Sequence, residues 1–251
     1  MNVDIGSILN DWPFEPGQVS ARRIRGADGR DKIQLRLDMG LLQMEVAGRP
    51  DGVRPHGFEC LLHYYEDQLN THRHHHDGSE MGFSVDEDGC ERLRNEAQMY
   101  YHRYLAEFVL EDYPAVERDT SRNLRAMDFL AMYAREESDR VAMEQYRPYV
   151  VMMLTRARAR RSAERGNHQD ALGTLRRGIE RIKRTYQRMG QEELVDESGE
   201  LAVLRAMIKE FESQVPVDPT ARLRGELDKA IREERYEDAA TIRDQLKGLS
   251  G

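Results

Sequence analysis

The chain has 251 residues and a formal net charge of −8, with 39% hydrophobic and 33% charged residues. This length allows one large domain, or two small domains with an appendage. No stretch approaches the ~18 apolar residues of a membrane-spanning helix, and the N-terminus lacks the basic and apolar pattern of a secretory signal. We therefore expect a cytoplasmic protein with no membrane partner.

Residues 1–70 predict a small α+β unit, a β-meander followed by a helix. Residues 33–37 and 42–46 alternate apolar and polar side chains, as half-buried strands do, and residues 19–25 form a candidate strand before them. Asp28-Gly29 predicts a hairpin turn, and Gly40 indicates a bulge or a second turn. Residues 58–69 have helical spacing. Such a unit is marginal alone and should pack on helices or on a second copy.

The middle of the chain predicts a helical domain behind a linker. Residues 71–91 are polar, contain several histidines and end in an acidic run, which favours an exposed linker. Residues 92–214 have helical spacing throughout, with Pro114 and Pro148 near two helix starts and Met132 in one apolar stripe. The fold class is therefore mainly α, a helical-hairpin array with a small N-terminal α+β unit and a C-terminal helical hairpin.

Three predicted turns share a pattern, in which a ring lies just after the turn and a small apolar residue three positions later. The rings are Tyr113, His168 and Tyr236. The middle copy is similar to a tetratricopeptide repeat, although Arg158 and Ser162 replace its large apolar residues. The copies are 55 and 68 residues apart, not about 34, so the pattern predicts packed hairpins rather than a regular solenoid.

A basic segment lies within this acidic chain. Residues 154–190 carry eleven basic and three acidic residues, a net charge of +8. Such a patch indicates an anionic partner, for example nucleic-acid phosphates, or neutralisation by the acidic residues 192–200. Few aromatic residues interleave, which disfavours base stacking. The candidate anion-binding residues are Arg156, Arg160, Arg176, Arg177, Arg181 and Arg184.

Catalytic and metal-binding patterns are weak. His72, His74, His75 and His76 crowd one segment, but Arg73 interrupts them and there is no CxxC pair with Cys60 or Cys90. Neither a nucleophile pattern nor a glycine-rich phosphate loop is visible. We expect no metal, no cofactor and no catalytic residue, and we interpret Tyr100, Tyr101, Tyr104 and Phe108 as core.

Residues 218–249 predict a compact helical hairpin. Asp218 and Pro219 are typical of a helix start, and two apolar stripes at three- and four-residue steps follow, with a change of pattern near Arg235. The small Ala239 and Ala240 let the helices approach closely. Because two short helices are marginal alone in water, we expect a partner surface.

This hairpin resembles the UVR motif of the bacterial excision-repair proteins UvrB and UvrC. Similar motifs occur in some Clp-type chaperone ATPases and in the activator of the protein arginine kinase, where they dock proteins. The resemblance therefore implies a contact with a protein partner rather than a reaction. It rests on Leu223-Arg224, Glu226-Leu227, Ala230-Ile231, Glu234, Tyr236-Glu237, Ala239-Ala240, Ile242-Arg243-Asp244 and Leu246.

The expected function is that of a non-enzymatic bacterial adaptor that docks a protein partner. A second copy of the chain is one candidate for this partner. The alternatives are a nucleic-acid-associated protein of DNA repair, an enzyme with a metal at the histidine-rich segment, and a hairpin that merely packs on its own chain. The candidate partner-binding residues are an apolar strip and two charges that set register: Leu227, Ile231, Tyr236, Ala239, Ile242, Arg243, Asp244 and Leu246.

Overall fold

The computed structural model describes residues 4–214 and 219–248. The chain forms two compact units, Met1–Ile208 and Lys209–Gly251. The first contains a three-stranded sheet and most of the helices, and the second contains the closing helical hairpin. The prediction of a mainly α chain with a small N-terminal sheet is confirmed.

The sheet is an antiparallel meander. After a short helix, α1 (Gly6–Asn10), the strands are β1 (Ala21–Arg25), β2 (Asp31–Leu37) and β3 (Gly40–Glu45), in the order β1-β2-β3. Gly29, in the turn between β1 and β2, has a φ of 74°, which glycine adopts without strain. Gly40 opens β3 opposite Leu37, so it follows a second turn rather than forming a bulge.

The central strand β2 is buried on both faces, which corrects the predicted half-buried strand. Its polar side chains Lys32, Gln34 and Arg36 are buried as well as its apolar ones. The reason is that this face has partners: Lys32 contacts Asp28 and Glu45, while the Arg36 Nε donates to the backbone oxygen of Trp12 at 2.7 Å. The N-terminal segment, the β1–β2 turn and β3 therefore provide acceptors for side chains that alternation alone places in solvent.

The other face of the sheet packs on a helix. Ile33, Leu35 and Met44 form a buried apolar cluster with Ala106. Ala106 belongs to α3, the first long helix of the predicted helical domain. The sheet and the helical array therefore share a core.

The remaining helices follow in chain order. A 3₁₀ turn at Pro55–Gly57 precedes α2, and two more lie at Glu144–Tyr146 and Glu192–Val195. The helices are α2 (Leu61–His75), α3 (Glu87–Val109), α4 (Tyr113–Tyr133), α5 (Glu137–Val141), α6 (Arg147–Glu164), α7 (His168–Arg188), α8 (Gly199–Gln214), α9 (Pro219–Arg232) and α10 (Tyr236–Gly248).

The predicted linker at 71–91 is partly helical. Helix α2 continues to His75, where the rings of His72 and His76 stack 4.0 Å apart, and α3 begins at Glu87. Between them, Val85 forms a β-bridge with Ala134. The connecting segment is therefore exposed over most of residues 76–84, as predicted, and is held against the end of α4 at Val85.

Two other predictions on the helices need correction. Met132 was placed in an apolar stripe but is 64% exposed, and the neighbouring Tyr133 is buried instead, because its ring contacts Phe83 and Phe129. The helical spacing predicted throughout residues 92–214 is interrupted after α7 ends at Arg188, and α8 begins at Gly199, after the third 3₁₀ turn.

The three hairpin turns predicted to be related share one backbone geometry. In each turn a residue with positive φ ends the helix, and the next N–H donates to the carbonyl five positions back, as in a Schellman motif. The positive-φ residues are Glu111 (59°), Gly166 (78°) and Glu234 (58°). The hydrogen bonds run from Asp112 to Glu107, from Asn167 to Ser162 and from Arg235 to Ala230, each 2.9 Å.

A buried charged network joins the sheet to α3 and α4. The guanidinium of Arg103 donates to both carboxylate oxygens of Asp119, at 2.6 and 2.9 Å, and to the backbone oxygen of Glu45 at 3.0 Å. Arg118 extends the network by donating to the carboxyl group of Glu107 at 2.8 Å. The side chains of Arg103, Glu107 and Asp119 are fully buried, so the charges of Arg103 and Asp119 depend on their neighbours.

Glu96 fixes the beginning of α2. Its carboxylate accepts from the backbone N–H of Leu61 at 2.7 Å and lies against the guanidinium of Arg122. The first N–H groups of a helix lack partners within the helix. Supply of this acceptor from α3 explains why α2 begins at Leu61 and not at the predicted Phe58.

Candidate functional site

The C-terminal hairpin consists of α9 and α10 joined by a three-residue turn, Glu233 to Arg235. Ala230 is fully buried and Ala239 is 8% exposed, so these small residues lie where the helices approach each other. Asp218 and Leu249, which the sequence prediction included, lie outside the described residues.

The predicted apolar strip divides into exposed and half-buried residues. Ile231 is 50% exposed and Tyr236 is 68% exposed, while Leu227, Ile242 and Leu246 are half-buried. Ala239, in contrast, is buried in the helix pair and cannot reach a partner without separation of the helices. Ile231 and Tyr236 are therefore the apolar residues of the hairpin that a partner can cover first.

Charged residues surround this strip. Arg243 and Asp244 are exposed and form an ion pair of 3.5 Å. At the turn, Arg235 pairs with Glu233 at 2.8 Å and with Asp238 at 2.7 Å, which ties the end of one helix to the start of the next. Exposed pairs of this kind contribute little to stability.

The predicted anion-binding arginines fall into two places. Arg156 and Arg160 lie on α6 and line one cavity. Arg176, Arg177, Arg181 and Arg184 lie on α7 and are exposed. The structure therefore does not bring the six residues into one site.

The exposed arginines of α7 are poorly neutralised. Within the described ranges, Arg177, Arg181 and Arg184 form no ion pair, whereas Arg158 and Arg161 on α6 both pair with Glu117. Partial burial lowers the pKa of Arg181, and the nearby positive charge of Arg147 lowers it further. The expected neutralisation by residues 192–200 is therefore not seen for these three arginines.

The cavity beside Arg156 measures about 620 Å³. Its walls come from the end of α3, the turn to α4, α6 and residues 18–19. The guanidinium of Arg156 lies 4.1 Å from the ring centre of Phe108, a cation–π contact. Burial lowers the pKa of Arg156, and the positive charge of Arg160 acts in the same direction.

Sequence reasoning missed these aromatic neighbours. The arginine segment itself contains few aromatic residues, but Phe108 and Tyr113 reach Arg156 and Arg160 from another helix and its turn. The ring of Tyr113 was the sequence feature that could have indicated these neighbours, but we interpreted it only as part of a predicted turn.

A second cavity, of about 710 Å³, lies among α3, α4 and α6. Four of its lining residues are Tyr101, Tyr104, Tyr146 and Tyr149. Tyr104 is buried, in agreement with its prediction as core, whereas Tyr101 faces this cavity. The sequence pattern did not indicate such a site, because Tyr146 and Tyr149 lie more than forty residues after Tyr101 and Tyr104.

The histidines and cysteines do not converge. His72, His74 and His75 lie in the last turn of α2 and His76 follows it. In the part of the chain that the structure describes, no three His, Cys, Asp or Glu side chains are placed to hold a metal ion. Cys60 and Cys90 are buried free thiols, and burial raises the pKa of Cys90 to about 11.

Comparison with known proteins identifies the C-terminal hairpin. A family model described as the UvrB/uvrC motif matches residues 220–251, and it does not extend to the rest of the chain. No curated protein and no solved structure matches the chain. Over the described residues, no helix combines the length and apolar character needed to cross a membrane.

Proposed function

We propose that the chain is a non-enzymatic, cytoplasmic adaptor of bacterial type that docks a protein partner through its UVR-type hairpin. One observation carries the proposal: within the matched motif, Ile231 and Tyr236 are large apolar side chains with half or more of their surface exposed. Covering such residues in an interface is favourable, by about 25 cal/mol for each Å² of apolar surface.

The chemistry of the chain supports a non-enzymatic role. Cys90 is a poor nucleophile, because a thiol with a pKa of about 11 is almost fully protonated at neutral pH. The charges of the hairpin, Arg243 and Asp244, pair with each other at the surface, where they suit recognition rather than proton transfer.

A pull-down from the native host tests the proposal. The tagged full chain is compared with a chain that lacks residues 219–251 and with the variants Ile231→Asp and Tyr236→Ala. We expect the truncation to remove a partner and each variant to weaken its capture about tenfold, as truncation of an interface anchor does. Gln245→Ala, on an exposed polar position of α10, is the matched control. An unchanged partner list after truncation contradicts the proposal.

The second candidate function is binding of nucleic-acid phosphates by the exposed face of α7. The observation that favours it is the lack of ion pairs at Arg177, Arg181 and Arg184 within the described residues. A gel shift in increasing salt tests it, with charge reversal of Arg176 and Arg177. We expect weaker binding and a shallower salt dependence for this variant, because fewer counterions are released. Arg25→Glu, an exposed change on β1, is the control, and equal binding by all variants rejects this function.

A further inference from the structure

Arg156 is half-buried, and within the described residues its guanidinium lacks the carboxylate partners that Arg103, Arg122 and Arg147 have. Its Nε is buried without a hydrogen-bond partner, and one terminal nitrogen touches the sulfur of Met153 at 3.4 Å. Sulfur is a weak acceptor. Among residues 4–214 and 219–248, Arg156 forms no ion pair. By contrast, Arg103 and Arg147 each pair with carboxylates.

This arrangement is costly without a ligand. A guanidinium removed from water loses hydration that a counter-charge or hydrogen bonds must replace. The ring of Phe108 replaces part of it from one side. The remaining hydrogen-bonding capacity of Arg156 therefore lies beside the 620 Å³ cavity that this side chain lines.

The cavity has the size and composition of a small-molecule site. Its volume lies within the range of about 300 to 1,000 Å³ typical of ligand pockets, which are mostly apolar with a few polar groups. Leu105, Phe108 and Met153 form apolar walls. The charged lining residues are Arg156, Arg160 and Glu111, with a net charge of +1, which suits a singly charged anion better than a doubly charged one.

We propose that this cavity binds a small organic anion in which one carboxylate or sulfonate group is attached to an apolar or aromatic body. The anionic group lies at Arg156 and the body lies against Phe108 and Met153. This is a site separate from the docking hairpin, so the adaptor carries a ligand pocket in its body. The recognition uses the bidentate geometry of the guanidinium together with burial of apolar surface.

Two fluorescent probes with the same body test the proposal on the full chain. Anilinonaphthalene sulfonate carries the anionic group and N-phenylnaphthylamine lacks it. We expect saturable binding of a single sulfonate probe per chain, with an affinity at least about tenfold above that of the neutral probe, the contribution of one charge-assisted contact. Equal affinities, or no saturable binding of the sulfonate, overturn the proposal.

Variants locate the site. Arg156→Met keeps the bulk of the side chain. This variant should fold, because the charge that it removes lacks a counter-charge, and circular dichroism checks its folding. We expect it to weaken the sulfonate probe about tenfold and to leave the neutral probe unchanged. Arg177→Met, on the exposed face of α7, should leave both affinities unchanged. A folded Arg156→Met chain with wild-type affinity rejects the assignment, and so does displacement of the probe by duplex DNA.

Discussion

At the scale of single residues, the buried guanidinium of Arg103 connects α3 to both α4 and the sheet. It serves Asp119 on α4 and the Glu45 carbonyl on β3 at once. Both charged side chains are fully buried. If one is removed, water therefore cannot replace the lost interaction for the other.

We expect Arg103→Met to lower the free energy of unfolding by about 3 kcal/mol, since it removes the buried partner of Asp119 and leaves this carboxylate only the half-exposed Arg118, at 2.8 Å. Chemical denaturation measures the change. The double variant Arg103→Met with Asp119→Leu should recover much of the loss, because both charges are then removed. A double variant no more stable than the single one contradicts this explanation.

Glu107 makes stability dependent on pH. Burial raises the pKa of its carboxyl to about 8, from an ordinary value of 4.5, and the nearby charge of Asp119 acts in the same direction. The folded state therefore holds this proton more tightly than the unfolded state does. Its contribution is fully present below about pH 4.5 and is lost as the pH rises towards 8.

We expect the free energy of unfolding of the wild type to fall between about pH 5 and pH 8, by roughly 3 kcal/mol more than that of Glu107→Gln. The amide stays neutral over this range. Urea denaturation at several pH values, with the two chains side by side, gives the difference. Parallel pH profiles would show that Glu107 does not titrate in this range.

At the scale of elements, the pairing of α6 with α7 depends on one glycine. A Cβ built on Gly178 would lie 2.3 Å from Cγ2 and 2.5 Å from Oγ1 of Thr155 on α6. The threonine is itself fixed, since its hydroxyl donates to the Val151 carbonyl at 2.7 Å. The glycine therefore sets how closely the two helices approach.

Gly178→Ala should destabilise the protein by about 1 to 3 kcal/mol, the usual cost of overpacking. Gly173→Ala is the matched control on the same helix, because its new Cβ would meet a terminal nitrogen of the Arg177 side chain, which can move. The control should be neutral or more stable by about 0.5 to 1 kcal/mol from helix propensity. Thermal melting compares the two, and equal effects would argue against a special contact at Gly178.

The elements differ in how far the sequence predicts them. Helical spacing and the pattern around Tyr113, His168 and Tyr236 predicted the hairpins and their related turns, because these depend on neighbours in sequence. The burial of Lys32, Gln34 and Arg36 could not be predicted, since their partners lie in the β1–β2 turn, on the neighbouring strands and at the Trp12 carbonyl, which the pattern of β2 alone does not locate. The same holds for the cavity at Arg156, where Phe108 arrives from another helix.

At the scale of the whole molecule, the chain separates into a body and a short second unit. We expect a chain that ends at Gln214 to keep the helix content of α1 to α8 and to melt within about 2 °C of the full chain, because the body has its own core. Circular dichroism measures both. A large fall in melting temperature would show that the hairpin stabilises the body.

The charge of the whole molecule is unevenly distributed. The +8 segment at 154–190 is only partly neutralised, with Arg158 and Arg161 paired to Glu117 on α4. The net charge of −8 therefore does not describe the local charge of this segment. We expect association with an anionic surface through the exposed arginines of α7 to weaken with salt, and the proposed docking through the hairpin to respond weakly.

The turn of the C-terminal hairpin has a consequence for how long a partner stays bound. Glu234 occupies a left-handed conformation, with a φ of 58°, that glycine adopts more easily, at a cost of about 1 kcal/mol. If the hairpin is ordered by docking, that cost shortens the residence time of the complex by about fivefold. Glu234→Gly should slow dissociation by this factor in a surface-binding assay. Under the proposed docking function, we therefore expect a glutamate at this position to favour exchange of partners over permanent capture.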